Sequence, residues 1–176
     1  MKKYVKYFSV LLLVVIGCAV LTGCAPKREE LVFKGKEGTI TFNVKQDGNY
    51  KISTKKEDLR TSREQGTLIG KDFKIGIELN DTYSYFFDSD FKKLKEARKD
   101  YADYKEVTYG DYKGIQYFYA GYMCYNILLP IEGSKEYFLE LSVYGKEDNE
   151  KAAKEAIKNE EVLDVLNNIK EIKVSK

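Results

Sequence analysis

Between Leu31 and Leu79 the chain alternates apolar and polar residues with a period of two, a pattern that builds strands. In "TITFNV", Ile40, Phe42 and Val44 share one face, and Thr39, Thr41 and Asn43 share the other. Asp47-Gly48 is a turn signal, after which Tyr50 and Ile52 resume the alternation. "RTSREQG" is polar throughout and reads as a loop. "GTLIGKDFKIGIEL" then reads as a hairpin whose apolar face is Phe73, Ile75, Ile77 and Leu79.

The period changes after "FFDSD". Phe91, Leu94, Ala97, Arg98 and Tyr101 recur at helical spacing, which predicts one amphipathic helix from Phe91 to Tyr101, with Ser89 or Asp90 able to accept the first backbone N–H bonds. Strand patterns return in "YKEVTYGDYKGIQYFYA", with turns expected at Gly110-Asp111 and at Gly114, and in "GYMCYNILLPI", which ends near Pro130. Past the "EGSKE" turn, "YFLELSVYG" has apolar residues on both faces, as a central strand covered on each side does. The tail is helical over Lys151–Lys158 and again over Val162–Ile169, with Asn159 as the cap between them, and Ile172 and Val174 close on a short strand. The expected class is α+β.

Ahead of this pattern stands a leader. Lys2, Lys3 and Lys6 precede an apolar run from Phe8 to Leu21, too short for the roughly 20 residues that span a bilayer, and small residues follow. Leu21-Thr22-Gly23-Cys24 resembles the lipobox of bacterial lipoproteins. That resemblance implies cleavage before Cys24 and a diacylglyceryl group on its thiol. Two acyl chains hold a membrane where one binds marginally. The expected organisation is a signal peptide at 1–23, the lipidated cysteine and a short tether at 24–30, and a single domain at 31–176. Six extended residues reach about 20 Å, so the domain would lie close to the bilayer. The expected location is extracytoplasmic, anchored to the bacterial cell membrane by lipid.

Composition then narrows the chemistry. Residues 24–176 carry 27 basic and 28 acidic side chains, which leaves no electrostatic case for nucleic acid. The chain has no histidine, which excludes Ser-His-Asp and Cys-His catalysis and histidine zinc sites. Cys18 leaves with the leader and Cys24 is the lipidation site, so Cys124 stands alone and no intramolecular disulfide forms. Asp81, Asp88 and Asp90 in "DTYSYFFDSD" lack the order, the glycine and the terminal glutamate of a calcium loop. No catalytic, cofactor or metal residues are assigned.

The order of strands, helix, long antiparallel strands and a helix ending in "VLDVLNNIK" resembles the Mog1/PsbP-like family. The likeness is carried by "TITFNV", "NYKIS", "FKIGIEL", "GIQYFYAGYMCYNILLPIEGSKEYFLELSVYG" and "EEVLDVLNNIK". It implies an α/β/α sandwich around a central, mainly antiparallel sheet. It also implies work by docking to partners, as photosystem accessory proteins and a binder of a small GTPase do.

Tyrosine is abundant, 15 in the chain and eight of them between Tyr101 and Tyr125. Its large ring and hydroxyl suit interfaces. Tyr109, Tyr112, Tyr122 and Tyr125 are the candidate partner surface, whereas Tyr117 and Tyr119 share a face with Ile115 and are expected in the core. The function expected is a lipid-anchored, non-catalytic binding or accessory module of the cell envelope. Its partners would be the membrane, through Cys24, and an envelope protein, with no cofactor. The alternatives are a carrier of a small apolar ligand and a carboxylate-dependent envelope hydrolase.

Overall fold

The computed structural model describes residues 26–81, 91–120, 122–129, 137–147 and 149–175, with backbone alone at 80, 81, 91, 122–129, 137 and 138. Ten strands and three α-helices are seen among them: β1 (Arg28–Lys34), β2 (Gly38–Lys45), β3 (Lys51–Ser53), β4 (Gly66–Ile69), β5 (Phe73–Asp81), α1 (Phe91–Arg98), β6 (Lys105–Tyr109), β7 (Tyr112–Tyr119), β8 (Tyr122–Leu129), β9 (Tyr137–Gly145), α2 (Glu150–Ala156), α3 (Glu160–Asn167) and β10 (Ile169–Val174). The class is α+β, and all the strand pairs are antiparallel.

The strands do not lie in one sheet. Seven form a sheet in the order β3-β4-β5-β9-β8-β7-β6, and three form a second in the order β1-β2-β10. Alternation tells which face of a strand is buried but not which strand is its neighbour, so the division was not readable from the pattern. The core sits between one face of the large sheet and a layer made of the small sheet, α2 and α3. Ile75, Ile77 and Leu79 of β5 and Leu139, Leu141 and Val143 of β9 meet Phe33, Ile40, Phe42 and Val44 from the small sheet, and Val162, Val165 and Leu166 from α3. Most of these side chains are fully buried, and each such burial stabilises by about 2 kcal/mol. β9 lies between β5 and β8, the central place its two-sided apolar pattern predicts.

Local chemistry sets the element ends. The side chain of Asn149 accepts from Ala152 N–H at 2.8 Å to start α2, and that of Asn159 accepts from Glu161 N–H at 2.9 Å to start α3. Helix α1 stops at Arg98, short of the expected Tyr101, and the chain turns through Asp103 at φ 57°. Gly110-Asp111 makes the expected tight turn, with Tyr109 paired to Tyr112. Gly114 is not a turn. It lies inside β7 opposite Val107 and Ile127, where a missing side chain is compatible with continued pairing. Strand β1 begins at Arg28, three residues before the apolar pattern does, because Arg28 reaches both Asn43 O at 2.7 Å and Asp164 at 2.6 Å. Gly38 lets β10 approach β2, since a Cβ there would lie 2.1 Å from the carbonyl of Lys173. The helix-cap residues Ser89 and Asp90, Asp88, and Pro130 with the "EGSKE" turn lie outside the described residues.

Candidate functional site

The second face of the large sheet is polar where a buried strand surface is ordinarily apolar. In β5 and β9 the residues that alternate with the core positions are Lys74, Gly76 and Glu78, and Glu140, Ser142 and Tyr144. Glu78 stands directly opposite Glu140, and Gly76 opposite Ser142. Glu78 and Glu140 are buried, 6% and 9% exposed. Like charges at such a cross-strand position repel, so each needs a compensating partner. Arg63 Nε donates to Glu78 at 3.0 Å, and the Tyr117 hydroxyl donates to Glu140 at 3.4 Å.

A third carboxylate comes from the loop that follows the 3₁₀ turn Lys56–Asp58. Glu64 is buried, accepts from Arg60 N–H at 2.9 Å and accepts from the hydroxyl of Tyr144. Gly76 makes room for it, because a Cβ there would sit 2.4 Å from Glu64 Oε1. The Arg60 guanidinium lies 4.7 Å from the centre of the Tyr144 ring. The loop "RTSREQG" thus lays two arginines and a glutamate onto the sheet.

At the β7 side the same face turns aromatic. Ile115 and Tyr117 are buried against Leu94 of α1 and against Tyr101 and Tyr104. Tyr101 meets Tyr117 edge-on and stacks on Tyr119, both at 5.4 Å between ring centres. Arg98 donates to the Tyr101 hydroxyl at 3.1 Å and lies 5.0 Å from that ring. Tyr119, expected in the core beside Tyr117, is instead 50% exposed, at the hairpin end of β7.

Of the four tyrosines proposed from the sequence, the side chains of two are described. Tyr109 is buried in the core, 8% exposed, because it belongs to the core-facing set of β6. Tyr112 packs half-buried on the same core, and burial raises its phenol pKa, with the backbone amide of Ile172 opposing. Neither ring presents an open surface. Tyr122 and Tyr125 lie on β8, opposite Tyr119 and opposite Gln116 and Leu141 respectively. Cys124 lies between Tyr117 and Ser142 in register. Cys24 lies outside the described residues. Among the described residues, no group of three or more Cys, Asp or Glu side chains is placed to hold a metal ion.

Sequence reasoning missed Glu64, Glu78 and Glu140. Glutamates alternating with apolar residues in a strand look like a solvated face, and a loop folding over that face leaves no periodic signal. No helix among the described residues is long and apolar enough to cross a membrane. No family model, curated protein or solved structure matches this chain.

Proposed function

We propose that this protein is a bacterial lipoprotein, held to the outer side of the cell membrane through a diacylglyceryl group on Cys24, whose folded body is a non-catalytic binding or accessory module. The observation that carries this reading is the export leader with its lipobox, placed directly ahead of the domain: only Ala25, Pro26 and Lys27 separate Cys24 from the first strand. The strand and helix order extends the proposal to a Mog1/PsbP-like body, a family whose members dock to partners. The stacked Tyr101–Tyr119 pair, with Tyr119 half open and Arg98 beside it, is the surface we assign to a protein partner.

The test is fractionation of the native host after labelling with a clickable fatty acid. The wild-type chain should carry label and sediment with membranes, and Cys24→Ala should lose both properties. Label retained by the alanine variant, or an unlabelled wild-type chain in the culture fluid, would refute the anchor. Crosslinking from membranes should then recover a protein through Tyr119, and Tyr119→Ala should lose it.

One observation favours a second reading. Glu78 and Glu140 are paired carboxylates on adjacent central strands, the raw material of acid–base hydrolysis. Their ties to Arg63 and Tyr117 weigh toward a structural network. Hydrolysis of an envelope polymer that Glu140→Gln abolishes would establish the enzyme instead.

A further inference from the structure

On the core side of the large sheet, where β6 and β7 run past the end of α2, there is an open pocket of about 410 Å³. Its floor is Gln116, and its walls bring Lys105, Lys154 and Lys158 together with Asp103 and Tyr104. We propose that this pocket binds a small organic anion, a carboxylate or phosphate, between Lys105 and Lys158 with the Gln116 amide as its hydrogen-bonding base.

Three observations carry the proposal. First, Gln116 is 4% exposed, yet its amide makes no side-chain hydrogen bond among the described residues. The amide is not among the fully buried polar atoms without a partner, so it is open to the pocket and to its solvent. The amide lines the pocket, so a ligand can satisfy it. Second, the lysines are not equivalent. Lys154 is neutralised locally, at 2.8 Å from Glu150 and 3.5 Å from Asp103, and it lies 4.9 Å from the centre of the Phe118 ring. Lys105 and Lys158 form no ion pair among the described residues, so their charge is available. Lys105 is held directly opposite Gln116 by strand pairing. Third, the wall is built. The carbonyl of Ala102 accepts from Phe118 N–H at 2.7 Å, which fastens the turn carrying Asp103 and Tyr104 to β7. Burial and the charge of Glu106 push the Tyr104 phenol pKa upward, with Lys95 opposing.

The experiment is an amide-resolved NMR titration of the full chain in a nonionic detergent. The probes are inorganic phosphate, glycerol 3-phosphate and acetate, at constant ionic strength. Saturating shifts at Lys105, Gln116 and Lys158 with at least one probe are expected. Preference for the phosphates or for acetate assigns the group recognised. The double variant Lys105→Gln/Lys158→Gln should weaken binding tenfold or more, while Lys36→Gln, on an exposed lysine elsewhere, should leave it unchanged. Gln116→Leu should also weaken binding about tenfold, because it removes the hydrogen-bonding base of the pocket. Shifts that grow linearly with every probe, or binding equally tight in the double lysine variant, would overturn the proposal. The lysine variant lies at the surface, so its result stands whatever Gln116→Leu does to folding.

Discussion

At the scale of single residues, one core hydroxyl among the described residues has nothing to bond. Tyr50 is 7% exposed, its ring lies tilted beside that of Phe73 at 6.1 Å between centres, and its Oη has no hydrogen-bond partner among the described residues. Tyr50→Phe should therefore leave stability at neutral pH unchanged or raise it by about 1 kcal/mol, in a urea melt. Burial first, and then the charges of Glu161, Asp164 and Asp47, push the Tyr50 phenol from 10.0 up to about 12, with Arg28 opposing. Between those values the unfolded chain has released the proton and the folded chain has not. The unfolded state then binds fewer protons, so stability is whole below pH 10.0 and falls as the pH climbs toward about 12. The phenylalanine variant should lose less stability than wild type across that window. Equal losses would show that the Tyr50 proton is not held as described. The contrast with Tyr144 is instructive: both phenols are buried, but Tyr144 donates to Glu64 and Tyr50 donates to nothing seen.

At the scale of elements, helix ends and strand faces obey local rules. Asn159→Ala removes the acceptor that starts α3 and should cost about 1 kcal/mol in a denaturant melt. A loss below about 0.3 kcal/mol would mean that packing of Val162, Val165 and Leu166 alone holds the helix. That cap was legible because an asparagine stood between two apolar helical patterns. The β2 alternation and the β4–β5 hairpin were legible for the same reason, since burial on one face writes a period of two. Gly114 misled because glycine marks turns and strand interiors alike, and only the neighbouring strands decide between them. The carboxylate face was illegible because its cover comes from a loop. Nothing in "RTSREQG" announces that Glu64 will meet Tyr144 from 80 residues away. The Lys105–Gln116–Lys158 pocket was hidden likewise, since its parts come from β6, β7 and the end of α2.

At the scale of the whole molecule, two sheets share one core, and neither face that forms it is complete alone. Phe33 and Phe42 of the small sheet and Leu79 and Leu141 of the large one belong to the same buried cluster. Unfolding should therefore be a single transition, with tyrosine fluorescence and far-ultraviolet circular dichroism giving coincident midpoints in urea. Midpoints separated by more than about 0.5 M would show that the sheets melt independently. The small sheet also joins segments far apart in sequence, with β10 laid along β2 from Ile169 to Val174. A polypeptide emerging head-first must keep the β1–β2 hairpin waiting, one edge bare, until Ile169–Val174 appear. Birth order and assembly order thus run in conflict, and a chaperone or a slow exit would shelter that naked edge from neighbouring copies.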